Sequence, residues 1–197
     1  MVESRREANK RKSRQKILKA SRRLFKEKGY ENTMIEDVAN RAEISKATLY
    51  NYFPNKESLL VGTMDDVAYS FKKFVDGMDK NMPIDDRIRK AMTFLILDSI
   101  PFISVSRRIL FLNAYSGSPM YGKINAVEDI FAELAEEAKE ADVFSKEVET
   151  KEIVDQLVGV YLISQFQWMD LEEITEEECV RRVNHLMDLM LAACYSK

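Results

Sequence analysis

Small and apolar residues recur at helical spacing near the N-terminus. The members of this first stripe are Ile17, Ala20, Ser21, Leu24 and Phe25. Positions three and four residues apart share one face of an α-helix, so the stripe predicts a first helix from about Lys12 to Lys28. Gly29 follows it and can adopt the left-handed conformation that commonly ends a helix.

Two short amphipathic segments come next. The first starts with a predicted capping box, in which Thr33 and Glu36 would exchange hydrogen bonds with each other's backbone. The second follows Ser45, a residue type that caps helices, and its spacing turns Leu49 inward. Two short helices separated by about three residues are typical of a helix-turn-helix motif, here over residues 34–53.

The remainder of the chain also has helical periodicity. Further helices are predicted at Lys56–Lys80, Ile84–Ile100, Phe102–Ala114, Met120–Ala141, Ser145–Met169 and Glu176–Cys194. Because only 6 Gly and 4 Pro interrupt 197 residues, the sequence predicts an all-α fold of about nine helices. We expect an N-terminal arm (1–11), a three-helix head (12–60) and a helical body (61–197).

The charge distribution separates the head from the body. Residues 1–60 contain 15 Lys and Arg against 8 Asp and Glu, whereas the rest of the chain contains 15 against 25. A basic head favours phosphates, because neutralising them releases counterions. The arm is also basic, and it would either follow the DNA backbone or minor groove or act as a disordered solubilising tail.

Several classes of protein are not expected from this sequence. The first residues lack an apolar signal-peptide core, and the longest strongly apolar run, Ala91–Ile103, is too short to span a bilayer, so we expect a cytoplasmic protein without membrane contact. Cys179 and Cys194 are too far apart in one predicted helix to form a disulfide. His185 is the only histidine. With no catalytic or cofactor motif in view, we expect neither an enzyme nor a metal or cofactor site.

The second helix of a helix-turn-helix motif lies in the major groove, where its outward residues meet base edges. The outward positions of the predicted third helix carry a mixture of hydrogen-bonding and small groups, namely Lys46, Ala47, Thr48, Tyr50, Asn51 and Tyr52. Such side chains suit contacts to bases and phosphates. The pattern therefore predicts a sequence-specific DNA-binding surface.

Residues 12–65 resemble the TetR family of transcriptional regulators. The positions that fall in register with the family pattern are Thr33, Asp37, Ala39, Ala42, Ser45, Thr48, Leu49, Tyr50, Phe53, Lys56, Glu57 and Leu60. One departure is Glu43, where the family usually has glycine in the tight turn. A residue other than glycine at positive φ costs about 1 kcal/mol, so either the turn differs here or that cost is tolerated.

The resemblance implies specific DNA contacts. Thr33 and Lys56 would meet phosphates at helix starts. The residues of the capped third helix would meet bases or flanking phosphates; they are Ser45, Lys46, Ala47, Thr48, Tyr50, Asn51 and Tyr52. Leu49 and Phe53 would belong to the core.

The resemblance also implies a dimer interface and an effector pocket in the body. Two C-terminal amphipathic segments predict an isologous four-helix bundle, with interface residues Ile153, Leu157, Val160, Val183, Leu186, Met187, Met190 and Leu191. The alternative is that both segments complete the core of a monomer. A dimer would place two heads in successive major grooves of a palindromic operator.

The pocket is expected among aromatic and polar residues of the body. Its candidates are Phe71, Phe94, Asp98, Phe102, Phe111, Tyr115, Tyr161, Gln165 and Trp168. Asp98 lies in an apolar run, where an ionised carboxylate needs a partner. It would either meet a cationic effector inside an aromatic cage or form an internal bond, for example with Arg107 or Arg108.

These patterns together predict a dimeric repressor that a small apolar or amphipathic effector releases from DNA. The effector would shift the Lys56–Lys80 helix and so change the spacing of the two heads. An alternative with the same fold is an architectural or nucleoid-associated DNA binder that needs no effector. Genome-wide occupancy of many sites would distinguish the second function from the first.

Overall fold

The computed structural model describes residues 5–114, 116–118 and 125–196. Nine α-helices are present within these described residues, and the predicted all-α fold is confirmed. They are α1 (Arg5–Lys28), α2 (Ile35–Arg41), α3 (Lys46–Tyr52), α4 (Lys56–Asp76), α5 (Ile84–Ser99), α6 (Ile103–Ala114), α7 (Asn125–Glu140), α8 (Thr150–Gln167) and α9 (Glu176–Met190). Short 3₁₀ turns lie at Ile100–Phe102 and Leu171–Glu173.

Helix α1 begins at Arg5, seven residues before the predicted start. No glycine or proline interrupts residues 5–11, and most of them favour helix by intrinsic propensity. The apolar stripe begins only at Ile17, so periodicity could not reveal this first part. Residues 5–11 are therefore helical, not a disordered tail, whereas residues 1–4 lie outside the described part of the chain.

The chain divides into two compact units. The head unit comprises Met1–Asp66 and Ser104–Tyr121, and the body unit comprises Val67–Ile103 and Gly122–Lys197. Helix α6 thus groups with the N-terminal helices, although it follows α5 in the sequence. That residues 12–60 form an independent domain remains a prediction.

The head unit packs α4 closely against α1 and the end of α3. At Gly62, an added Cβ would lie 2.6 Å from Leu18 Cδ2 and 2.8 Å from Phe53 Cε1. Leu18 and Phe53 are both buried. Since only glycine leaves enough space at this crossing, Gly62 permits the approach that fixes α3 on the head.

The body unit has one large apolar core formed mainly by α5, α7, α8 and α9. Aromatic rings form a cluster within it. Phe74 stacks on Phe94 with ring centroids 3.9 Å apart, and Phe71 meets Phe131 at 5.3 Å. Among the described residues, no helix is long and apolar enough to cross a bilayer.

The body core corrects the predicted dimer interface. Six of the eight residues assigned to that interface are completely buried inside a single chain: Ile153, Leu157, Val160, Val183, Met187 and Leu191. A fully buried side chain cannot contact a partner, so these residues complete the monomer core. Only Leu186 and Met190 are half-buried. The amphipathic pattern identified the buried face of each helix but not what covers that face.

Candidate nucleic-acid interface

The α2–α3 unit has the geometry of a helix-turn-helix motif. The Ser45 hydroxyl accepts a hydrogen bond from the Thr48 N–H at 3.1 Å, so the predicted cap of α3 is confirmed. Leu49 and Phe53 are buried, also as predicted. Because these residues anchor the inner side of α3, its other side chains project outward.

The turn between the helices retains its glycine-like conformation despite the glutamate. Glu43 has a φ of 56°. The Ile44 N–H reaches back to the Ala39 carbonyl at 3.0 Å, and this bond closes the end of α2. The turn is therefore kept, and the local backbone carries the cost of a side chain in the left-handed region.

The predicted capping box of α2 is wrong. The N-cap is Met34, one residue later than expected, and the Met34 N–H donates to the Asp37 carboxylate at 3.5 Å. Thr33 is buried, and its hydroxyl donates to the Gly29 carbonyl at 2.7 Å. Glu36 pairs with Lys46 instead of capping the helix. The turn that ends α1 thus holds the Thr33 hydroxyl inside the head unit, and this burial does not favour its predicted phosphate contact.

The outward surface of α3 carries most of the side chains expected to contact DNA. Ser45, Lys46, Ala47, Tyr50 and Asn51 are exposed. Thr48 and Tyr52 are half-buried. Their base and phosphate contacts remain predictions.

Lys46 is held on this surface by an ion pair. Its ammonium donates a hydrogen bond to the Glu36 carboxylate of α2 and lies 6.0 Å from the centroid of the Tyr50 ring. This hydrogen bond raises the pKa of Lys46 and lowers the pKa of Glu36. A phosphate or base that binds Lys46 must therefore compete with Glu36 for the ammonium.

Lys56 has an internal role at the start of α4. Its ammonium donates to the Glu31 carbonyl at 3.0 Å and lies 4.3 Å from the centroid of the Tyr30 ring. Burial lowers the pKa of Lys56 and raises the pKa of Tyr30 to about 12. The lysine thus connects α4 to the loop before α2, and this contact competes with its predicted phosphate contact.

A cleft next to α3 contains residues that the sequence patterns did not identify. It has a volume of about 760 Å³ and lies between the first turns of α1 and the exposed side of α3. Its lining residues are Glu7, Asn9, Lys10, Ser13, Thr48, Asn51 and Tyr52. The α1 residues precede the apolar stripe, so only the unbroken run of helix-forming residues could have indicated them.

The predicted effector-pocket residues are only partly brought together. Phe71, Gln165 and Trp168 are buried in the body unit. Phe94, Asp98, Phe102 and Tyr161 belong to the same unit and are half-buried. The Gln165 amide nitrogen donates to the Ser99 hydroxyl at 3.0 Å and to the Ser164 hydroxyl at 3.2 Å.

Two of the pocket candidates do not join this group. Phe111 belongs to the head unit and is 66% exposed, because Val105, Ile109 and Leu112 form the buried stripe of α6. Its assignment to an enclosed pocket is therefore not supported by this chain. Tyr115 lies outside the described residues. Within the described ranges, no three His, Cys, Asp or Glu side chains converge on a possible metal position.

Comparison with known proteins shows that the head is similar to bacterial regulators of the TetR family. Residues 17–62 match the family model described as "Bacterial regulatory proteins, tetR family". The repressor KstR from Rhodococcus jostii (strain RHA1) is 32% identical over 117 residues, which cover 59% of this chain and 52% of KstR. The regulator YuxN from Bacillus subtilis (strain 168) is 34% identical over 94 residues, covering 45% of this chain and 32% of YuxN.

The chain therefore spans about a third to a half of the length of these curated relatives. The whole fold has counterparts among solved structures. FadR from Thermus thermophilus, a TetR-family repressor solved in complex with lauroyl-CoA, superposes with a TM-score of 0.72 over 93% of this chain and 96% of FadR. At 17% identity, this similarity shows a shared fold.

Proposed function

The chain belongs to the TetR family of bacterial regulators through its N-terminal domain, and on this premise we propose a dimeric repressor. The repressor would bind a palindromic operator and leave it when a small apolar or amphipathic molecule binds the body unit. In this proposal the head binds DNA, occupancy of the operator causes repression, and the effector controls that occupancy.

One observation carries this proposal. Helix α3 is anchored by the buried Leu49 and Phe53, and its other side chains form an exposed surface. We assign base contacts to Lys46, Ala47 and Thr48 near the start of the helix, where recognition helices meet base edges. The remaining exposed groups, Ser45, Tyr50, Asn51 and Tyr52, are assigned to bases or flanking phosphates. Buried Thr33 has no part in this assignment, and Lys56 has one only if it leaves Glu31.

In vitro selection from a randomised duplex pool tests DNA recognition. The wild-type protein is expected to enrich a two-fold symmetric motif. Tyr50→Ala is then expected to weaken binding to the enriched duplex, by about tenfold if one good contact of roughly 1–2 kcal/mol is lost. Tyr69→Ala is the matched control, because Tyr69 is an exposed tyrosine of the body unit. Failure to enrich any motif would overturn the repressor proposal.

The dimer requires a different surface from the one predicted by periodicity. On the solvent side of α8, Leu162 and Phe166 are exposed, and Met169, which follows the end of the helix, is 94% exposed. Exposed Leu189 and half-buried Leu186 lie on one flank of α9. A stripe of exposed large apolar side chains is costly in water, and a second copy of the chain would cover it in an isologous contact. We therefore assign the interface to this stripe.

The proposed effector is a molecule with an apolar chain. Two observations support this class of effector. The body core contains an aromatic cluster, and FadR from Thermus thermophilus, which shares the fold, was solved in complex with lauroyl-CoA. Asp98 is half-buried next to this core and makes no hydrogen bond or ion pair with a described residue, so it is the candidate polar contact. An effector shifts the equilibrium only if it binds the DNA-free state more tightly.

Titration of the selected duplex complex with lauroyl-CoA tests release. We expect the affinity for DNA to fall as the acyl-CoA saturates the protein, while a thermal-shift assay reports binding independently. Coenzyme A without an acyl chain is the matched control. Binding of the acyl-CoA without any change in DNA affinity would contradict the release mechanism. If no acyl-CoA binds at all, this effector class is rejected.

A further inference from the structure

Helix α1 carries five basic residues on one exposed line, which we term the α1 stripe. Its members are Lys12, Lys16, Lys19, Arg23 and Lys26. All five are exposed. Their spacing of four, three, four and three residues keeps them on one face of the helix, and at 1.5 Å per residue the stripe is about 21 Å long.

Among the described residues, only Arg23 of the α1 stripe has an electrostatic partner, the Glu27 carboxylate one turn further along the helix. None of its five side chains forms a hydrogen bond or ion pair with a residue in the described ranges. The one carboxylate on this side is Glu27, which pairs with Arg41 of α2 at 2.8 Å. Like charges three or four residues apart destabilise a helix, and apart from the attraction between Arg23 and Glu27 the described residues do not compensate this repulsion.

The stripe also faces away from the part of α1 that packs on the head. Ile17, Ser21 and Leu24 lie on the opposite side of the helix and are buried. The residues of α1 that line the cleft beside α3, such as Lys10 and Ser13, belong to that packed side. A duplex held by the exposed surface of α3 would therefore meet the first turns of α1, and the stripe would remain open.

The chemistry of the stripe selects its partner. A line of unpaired cations without exposed apolar neighbours can bind a polyanion but cannot insert into a lipid layer, because the apolar side of α1 is already buried. In B-DNA, phosphates of one strand recur every 3.4 Å along the axis, so the stripe spans roughly six of them. Regularly spaced phosphates on a rigid duplex match a rigid helix of cations.

We propose that the α1 stripe is a second DNA-binding surface, which holds the phosphate backbone of a separate duplex without reading its sequence. One head would then contact two segments of DNA, one through α3 and the other through α1. This inference goes beyond operator recognition and does not require the operator to be known, since duplexes of random sequence are sufficient to test it.

The test uses the full chain and a fluorescent duplex of random sequence. Its affinity is measured by anisotropy over a series of salt concentrations. We expect Lys16→Gln/Lys19→Gln/Arg23→Gln to bind more weakly and to flatten the slope of log K against log salt by about 2.7, or 0.9 for each lost phosphate contact. Circular dichroism verifies that the variant is folded. The matched control is Lys73→Gln/Lys80→Gln/Lys90→Gln. These three substitutions remove the same amount of charge from exposed lysines of the body unit.

A bridging assay distinguishes a second duplex from other partners. The protein is added to an immobilised random duplex, and capture of a second, labelled duplex is measured. We expect capture by the wild-type protein, and loss of capture both in the stripe variant and in Tyr50→Ala/Asn51→Ala, which alters the α3 surface. Failure of operator selection would not affect these results.

Three outcomes would overturn the proposal. Capture that survives in the stripe variant would mean that two α3 surfaces of a dimer hold the duplexes. An unchanged salt slope would show that the stripe is only a solvated face. Binding of phosphatidylglycerol-containing vesicles that depends on the stripe, with DNA binding unchanged, would assign it to a membrane surface.

Discussion

Glu43 is a single residue whose backbone cost can be measured. Its φ of 56° crowds the Cβ against the backbone, which costs about 1 kcal/mol. Glu43→Gly removes the Cβ, although the greater freedom of glycine in the unfolded chain offsets part of the gain. We expect the free energy of unfolding in urea to rise by roughly 0.5 kcal/mol. Glu43→Ala is the control, since it removes the charge but keeps the Cβ. Equal stabilisation by both variants would assign the effect to charge.

The pair formed by Lys46 and Glu36 should control the strength of DNA binding. Glu36→Gln removes the carboxylate that neutralises Lys46. We expect this variant to bind random duplex more tightly and to steepen the salt slope by up to about 1, the contribution of one additional phosphate contact. Lys46→Gln should reduce affinity, and the double variant should behave like Lys46→Gln alone.

Asp37→Asn is the matched control for this cycle. Asp37 is the neighbouring carboxylate on α2, but its partner is Lys28 at 2.9 Å. Its removal leaves the Lys46 pair in place, so the salt slope should change little. Additive effects of Glu36→Gln and Lys46→Gln would show that the two residues act independently on DNA and would contradict the competition described above.

At this scale, prediction from sequence succeeded where one local rule determines the side chain. Ser45 caps α3 because the residue type, the position and the following helix all agree. Thr33 satisfied a capping rule equally well, but the turn after Gly29 directs its hydroxyl to the end of α1. The Glu36 and Lys46 pair was also beyond reach, because it depends on the angle between α2 and α3 and not on spacing in the sequence.

Among the helices, the connection between α8 and α9 depends on a group of charges. The Arg182 guanidinium binds both Asp170 oxygens at 2.7 Å and Glu178 at 2.6 Å, and it lies 5.3 Å from the centroid of the Trp168 ring. Hydrogen bonds from Arg181 and Arg182 lower the pKa of Glu178 to about 2. The single arginine therefore joins the end of α8 to the first turns of α9.

This network predicts a loss of stability in acid. The folded pKa of Glu178 lies below its ordinary value of 4.5, so its contribution is present above pH 4.5 and is lost as the pH falls toward 2. Glu178→Gln should show a smaller decrease in the urea midpoint between pH 5.5 and pH 3 than the wild-type protein. Glu177→Gln is the control, since it removes an exposed neighbouring glutamate. If all three proteins lose stability equally in acid, Glu178 is not a source of that loss.

The order of the helices was predictable, and their ends were less so. Breakers such as Pro83 and Pro101 located most boundaries. The start of α1 was missed because solvated residues form no apolar pattern, and α8 begins at Thr150 because the segment before it bonds to the C-terminal residues instead. The Ser145 N–H donates to the Cys194 carbonyl at 2.7 Å, a contact that no local pattern encodes.

For the whole molecule, charge and apolar surface lie in different places. The excess of positive charge is confined to the first 60 residues, and within them the α3 surface and the α1 stripe face different directions. The large exposed apolar side chains of the body include Leu162, Phe166 and Met169 on or next to α8. Sequence periodicity could not find this last surface, because the buried stripes of α8 and α9 are longer and more regular than the exposed one.

The exposed α8 stripe predicts how the protein assembles. Phe166→Glu places a charge in the centre of the proposed interface, where an unpaired carboxylate would be desolvated. We expect the wild-type chain to sediment as a dimer at micromolar concentration and the variant as a folded monomer. Tyr69→Glu is the matched control, because Tyr69 is a more exposed aromatic residue elsewhere in the body unit, and it should remain dimeric.

The same variant connects assembly to DNA binding. Two linked heads bind a symmetric site as one unit, so loss of the dimer should weaken binding to a selected palindromic duplex by about 100-fold or more. Binding to a duplex with a single half-site should change little, because only one head is engaged there. A Phe166→Glu protein that still sediments as a dimer would show that the two copies meet through another surface. A monomeric variant with unchanged affinity for the palindrome would show that pairing of the heads is not the source of operator affinity.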